Sequence, residues 1–172
     1  MEKSTSIAEN AYAESLNEPL EDVASIGEAD IVVGIPFRNE VDTIGQVFHS
    51  VAQGLSAFFL DKKCVIACVG ASEGKDALNV IQAVPLGHAI KRIAFLMKDE
   101  SVSEKVWRLS AIMEIADRLN ADVALFEADL KSRKVKAEIE GLALEWVRRL
   151  LFPLQKGGMD LVIPRFNGHY LD

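Results

Sequence analysis

The sequence predicts an α/β fold of the Rossmann-like kind, a mainly parallel sheet with helices on both faces. Three observations carry this. Short apolar runs recur within Ile31–Ile35, Lys63–Val69, Lys91–Met97, Asp122–Phe126 and Met159–Ile163, the pattern of strands buried on both faces. Between them lie segments whose apolar residues repeat every three or four positions, the period of an amphipathic helix. Strand and helix alternate along the chain, which implies parallel strands joined by crossing helices.

The elements follow in order. Residues 1–29 hold seven acids and one base with a few apolar positions (Leu16, Leu20, Val23, Ile26). This acidic leader is expected as a loose peripheral helix or as disordered chain, and residues 30–172 as the folded unit. Pro36 is expected to end the first strand. Asn39 then caps a helix with the stripe Ile44, Val47, Phe48, Val51 and Leu55. The second strand leads through a loop over 70–75 to a short helix, Asp76–Val84. After the third strand, Ser101 and Glu104 have the spacing of a capping box, ahead of a long helix with the stripe Leu109, Ile112, Met113, Ala116 and Leu119. The fourth strand ends in Glu127-Ala128-Asp129. The spacing of Ile139, Leu142, Ala143, Trp146 and Leu150 predicts a helix over Ala137–Leu151, and a fifth strand follows. No closing helix comes after it, so the domain is expected to be truncated.

Composition excludes several classes. A chain of 172 residues with 49% hydrophobic content suits one domain with a proper core. The net charge is −7, of which −6 belongs to the leader. A near-neutral body lacks the basic face of a nucleic-acid binder. No apolar stretch reaches the ~20 residues of a membrane span, and Met1–Ala29 has no signal-peptide core, so a soluble, cytoplasmic protein is expected. Cys64 and Cys68 fall in one strand, roughly 13 Å apart at about 3.3 Å per residue. That is too far for a disulfide or a shared metal ion, and they read as buried thiols in a reducing compartment. There is no G-x-x-x-x-G-K-[ST] loop, no G-x-G-x-x-G after the first strand and no G-x-S-x-G elbow, which argues against a P-loop enzyme, a dinucleotide dehydrogenase and a serine hydrolase.

In open α/β sheets ligands bind beyond the carboxyl ends of the strands. Here those ends carry Pro36-Phe37-Arg38-Asn39-Glu40, Gly70-Ala71-Ser72-Glu73-Gly74-Lys75, Lys98-Asp99-Glu100, Glu127-Ala128-Asp129 and Pro164-Arg165-Phe166. Charged and small residues at one edge suit a polar, anionic ligand with a metal ion. His49 in a helix and His88 in a loop have no such setting.

The stretch Val33-Gly34-Ile35-Pro36-Phe37-Arg38-Asn39-Glu40, with a helix from Asp42-Thr43-Ile44, resembles the opening of family-2-type glycosyltransferases of GT-A fold. It is most similar to the mannosylglycerate synthase and glucosyl-3-phosphoglycerate synthase group. The resemblance covers about residues 30–172. It implies that Pro36 and Glu40 hold the nucleotide base and ribose, with Phe37 and Arg38 beside them. Ala121 to Ser132 resembles the group's D-x-D segment, with Glu127 as a ribose or sugar contact and Asp129 as ligand to Mg²⁺ or Mn²⁺. Such an ion would neutralise the departing diphosphate. Lys105 aligns with the lysine of a G-K-G that meets the donor diphosphate, although Glu104 and Val106 replace both glycines. Gly158 to Phe166 resembles the group's D-x-V-x-P-x-Y segment, with Phe166 in place of Tyr. The loop with Gly70 and Ser72 departs most, since the usual nucleotide-binding Asp is missing, and the resemblance leaves Gly70 and Ser72 as its nucleotide-sugar contacts. The implied activity is transfer of a sugar from a nucleotide diphosphate-sugar to a small hydroxy acid, such as glycerate or phosphoglycerate, with the acceptor site on a following half. The alternatives are a sugar-nucleotidyltransferase, whose Gly-rich loop is absent, and a non-catalytic nucleotide-binding domain that has lost its site. A homo-oligomer is possible for a domain with exposed apolar surface.

Overall fold

The computed structural model describes the backbone of residues 2–129, 134–140, 160–162, 165–166 and 169–170, and side chains from residue 7 to residue 126. In chain order the elements are α1 (Glu2–Ile26), β1 (Ile31–Phe37), α2 (Val41–Phe58), β2 (Cys64–Gly70), α3 (Lys75–Ala83), β3 (Ile90–Leu96), a 3-10 turn (Glu100–Val102), α4 (Lys105–Arg118), β4 (Asp122–Asp129), β5 (Lys134–Glu140), β6 (Asp160–Val162), β7 (Arg165–Phe166) and β8 (His169–Tyr170). The main sheet has the order β3-β2-β1-β4-β5-β6, and β7 pairs with β8 separately. Strands β1 to β4 run parallel. β5 is antiparallel to β4, and β6 is parallel to β5. The chain thus adopts the α/β, Rossmann-like architecture, with two reversed strands added beside β4.

Strand periodicity divides the core into two layers. In β1 and β2, Ile31, Val33, Ile35, Phe37, Cys64, Ile66 and Cys68 pack with α2 and α3. Val32, Val65, Ala67 and Val69 face the opposite way, toward α1 and α4. The predicted stripe of α2 (Ile44, Val47, Phe48, Val51, Leu55) is at most 1% exposed, and each such side chain contributes about 1.5–3 kcal/mol. Gly34 sits where α4 crosses the sheet. A Cβ there would overlap Ile112 and come within 2.9 Å of Leu125, so only glycine allows this approach.

Several boundaries differ from the sequence reading. The leader is a 25-residue helix. Leu16, Leu20 and Val23 are spaced i, i+4, i+7, and Leu16 and Val23 are buried against the sheet. Ser15 Oγ accepts the Lys98 N–H at 2.8 Å and donates to the Ala11 carbonyl at 2.9 Å. The helix ends at Gly27, whose φ of 83° is the left-handed conformation that favours glycine.

Pro36 does not end β1. The Phe37 carbonyl turns toward β2 and accepts the Ala71 N–H, so alternation turns the Pro36 nitrogen toward β4. Pairing with β4 runs over Ile31–Gly34, and the ring therefore removes no ladder bond. The residue at the N-cap of α2 is Glu40 rather than Asn39. The capping box does not form: Asp99, not Ser101, caps the 3-10 turn by accepting the Ser101 N–H at 2.9 Å, and α4 starts from Glu104 without a side-chain cap.

The stripe of α4 is shifted from the prediction, with Leu109 and Met113 only half-buried. Ile112, Ala116 and Leu119 are buried, but so are Arg108, Ala111 and Ile115. Residues 137–140 belong to a strand, not to the start of a helix. The rest of that predicted helix lies outside the described residues. β6 falls within the predicted fifth strand. Both cysteines are free and buried. Burial pushes the Cys64 thiol up to about 11 and raises that of Cys68 further.

Candidate functional site

The order β3-β2-β1-β4 places a topological switch between β1 and β4. From β1 the chain moves outward through α2 to β2 and β3, then returns through α4 to β4 on the other side. Such a switch opens a crevice at the carboxyl ends of its two strands. β1 and β4 are in register through Gly34 and Leu125, so the ends of the two strands, up to Phe37 and Asp129, run on side by side past the paired stretch.

The loops around this crevice are tied together by hydrogen bonds. Ser103, between the 3-10 turn and α4, is the common point. Its Oγ accepts the Ser72 N–H at 2.9 Å and donates to the Asp99 carbonyl at 3.0 Å. Its carbonyl accepts from Arg108 Nε at 3.1 Å and from Arg38 Nη2 at 3.3 Å. Arg108 Nη1 also donates to the Phe37 carbonyl at 3.0 Å. Arg108 is 7% exposed, so its guanidinium is a buried clamp joining the end of β1 to the start of α4. Arg38 forms an ion pair with Glu73 from the β2–α3 loop, and both side chains are largely exposed. The Asp99 carboxyl lies below its ordinary value because the Ser101 backbone N–H bonds to it.

The predicted site residues fall into three groups. Pro36, Phe37 and Gly70 lie in the buried parts of β1 and β2. The Phe37 ring is in the core, and a Cβ at Gly70 would meet that ring. The sheet interior therefore explains all three. Arg38 and Lys105 are exposed at the carboxyl edge, and Glu40 and Ser72 are half-buried there. Arg38 and Ser72 share Ser103 as a hydrogen-bond partner, and Lys105 follows two residues after it.

Glu127 and Asp129 belong to β4 itself and do not lie in a loop beyond it. The antiparallel register sets Glu127 opposite Lys136 and Asp129 opposite Lys134. The side chains of these four residues, and with them the expected metal ligand Asp129, lie outside the described ones. Among the described residues no group of three or more His, Cys, Asp or Glu side chains is placed to hold a metal ion. No helix among them is long and apolar enough to cross a membrane.

Arg108 and Ser103 escaped the sequence reading. Arg108 lies three residues beyond Lys105 on the same helix, and that spacing was the available signal. Two cavities lie elsewhere. One, of about 580 Å³, is at the amino edge of the sheet and mixes Lys62, Lys63 and Lys91 with Glu28 and Asp61. The helices α1, α2 and α3 all end at this edge, and their carbonyl dipoles favour lysines there. The other, of about 410 Å³, follows β3 between α1 and α3. Neither adjoins the crevice. Comparisons with protein-family models, with curated proteins and with solved structures gave no match.

Proposed function

We propose that this chain is the donor-binding part of a glycosyltransferase and holds a nucleotide diphosphate-sugar in the crevice between β1 and β4. One observation carries the reading. The two segments that resemble glycosyltransferase motifs, 33–40 and 121–132, run on adjacent strands that leave the sheet at a switch point, where α/β sheets bind nucleotides. Glu40 and Ser72 are then the polar contacts for ribose and base, and Lys105 stands at the start of α4 on the diphosphate side. The sugar would pass to a small hydroxy acid such as glycerate or phosphoglycerate. Asp129 stays the residue that the resemblance assigns to a divalent cation, which would neutralise the departing diphosphate.

A second reading has its own observation. Arg38 is engaged by Glu73, in the loop that departs most from the group, which suits a domain that kept the fold and changed the site.

Calorimetric titration with UDP and GDP, with NAD as control, separates the two. The donor-site reading expects one nucleoside diphosphate to bind, NAD not to bind, and Glu40→Gln to weaken binding by about tenfold, the loss of one hydrogen bond to a charged acceptor. Folded protein that binds neither diphosphate would sink it.

A further inference from the structure

We propose that the outer edge of β3 receives an added strand from a partner protein, an extended segment in which lysine or arginine alternates with small apolar residues. β3 ends the sheet on its side, and among the described residues no strand pairs with its outer edge. Such an edge offers a row of backbone groups to another chain. The groups can be named. Residues of a strand between two parallel neighbours turn their N–H and C=O to one side and the other in alternation. The Met97 N–H bonds to the Gly70 carbonyl of β2 at 2.8 Å, so Lys91, Ile93 and Phe95 also turn toward β2. Ile90, Arg92, Ala94, Leu96 and Lys98 then turn outward. Both ends of this row are closed: the Gly87 carbonyl accepts the Ile90 N–H at 3.3 Å, and Ser15 Oγ accepts the Lys98 N–H at 2.8 Å. Arg92, Ala94 and Leu96 form the window between them, about 13 Å long at about 3.3 Å per residue.

The cavity of about 410 Å³ lies along this window, with α1 on one side and α3 on the other. Two flanking helices admit a single extended segment and obstruct a sheet that carries helices of its own. Charge selects the segment. Ser15, Glu18 and Asp22 recur at helical spacing along the α1 wall, and Glu18 and Asp22 are exposed. The α3 wall is Leu78 and Gln82. Lys98 stands at the closed end beside Ser15. Arg92 is turned to α3, where its guanidinium donates to the Ile81, Gln82 and Val84 carbonyls. Side chains of an added strand would alternate between an acidic wall and a largely uncharged one, which fits basic residues alternating with apolar ones. A second copy of this chain fits poorly. Antiparallel pairing of β3 with itself about a two-fold axis would set α1 beside α1, and residues 1–29 carry a net charge of −6.

The test is titration of this chain with a nine-residue peptide of alternating lysine and valine, read by calorimetry and by amide hydrogen exchange in NMR. The controls are the same peptide with glutamate for lysine, and the lysine peptide with every backbone nitrogen methylated, which keeps the charge and removes strand pairing. At about ten times its Kd the lysine peptide should slow exchange at Arg92, Ala94 and Leu96 by about tenfold. Both control peptides should bind at least about tenfold more weakly. Glu18→Gln combined with Asp22→Asn should weaken the lysine peptide by about fivefold at low salt. Equal binding of the methylated peptide would reduce the interaction to adsorption on an acidic surface and overturn the proposal, as would no binding at all. Slow exchange at the three amides in the free chain also overturns it: protection that grows with protein concentration assigns the edge to a second copy, and protection independent of concentration shows the edge already covered.

Discussion

Replacing Arg108 by Met tests whether the buried guanidinium holds the crevice together. The substitution keeps most of the side-chain volume and removes the hydrogen bonds at 3.1 Å to the Ser103 carbonyl and 3.0 Å to the Phe37 carbonyl. Bonds from a charged donor contribute about 1.5–3 kcal/mol each. Two effects reduce the loss. Both carbonyls keep another donor, Ala71 N–H for Phe37 and Arg38 for Ser103, and the desolvation cost of a buried charge is relieved. The expected destabilisation is about 3 kcal/mol, toward the lower end of the sum. With a urea m-value of roughly 2 kcal/mol per M, the unfolding midpoint falls by about 1.5 M. Arg108→Lys offers a single donor group and should fall between the two. Arg38→Met is the control: its pair with Glu73 is 46% and 42% exposed, and a surface ion pair is worth about 1 kcal/mol at most. Urea unfolding followed by circular dichroism measures all three. Should Arg108→Met lie within about 0.5 kcal/mol of wild type, the ordinary spread of surface substitutions, or cost no more than Arg38→Met, the clamp is refuted.

Gly34→Ala should destabilise by about 1–3 kcal/mol, because the added methyl overlaps Ile112 and crowds Leu125. In an Ile112→Ala background the cost should shrink, and urea-unfolding energies that add within about 0.5 kcal/mol would contradict the close α4 crossing. Tyr12 is pushed up to about 12, first by burial and then by Glu114, whose carboxylate its hydroxyl meets at 3.3 Å. A group raised in the folded state contributes stability below its unfolded value and loses it as pH rises. The expected loss runs from about pH 10 to about 12. Alkaline absorbance titration should show this late phenol, and Tyr12→Phe should remove that stretch of pH dependence; a phenol titrating near its ordinary value would contradict the burial argument.

The parallel half of the fold was legible because its strands are buried on both faces. Ile31 to Ile35 and Cys64 to Val69 are apolar at nearly every position, and only a strand between two helix layers uses such a run. The helix α2 was equally plain, since its stripe packs on one layer alone. Where polar residues intervened, the reading weakened. In α1 the acids masked a three-residue stripe that docks on β3 and α4. In Lys134 to Glu140 strict alternation of charged and apolar residues was the strand signal, and a helical spacing starting at Ile139 was preferred to it. The capping box failed for a local reason: Asp99 reaches the Ser101 N–H first, so the turn closes before α4 begins.

The site was legible as an edge but not as a network. Motif position pointed to Arg38, Glu40, Ser72 and Lys105 at the carboxyl edge, because topology alone brings strand ends together. It did not separate residues that face a ligand from those that build the sheet. Pro36, Phe37 and Gly70 are buried because β1 continues to Phe37 and pairs with β2 to its end. It also did not reveal Arg108, whose partners are backbone carbonyls distant in sequence. The acidic pair shows the same limit most sharply. Spacing places Glu127 and Asp129 on one face of a strand and suggests a metal. What stands opposite them is set by a register that no local pattern contains. Lys136 and Lys134 stand there because the chain returns antiparallel as β5, and a helix predicted over 137–151 gave no reason to expect that strand.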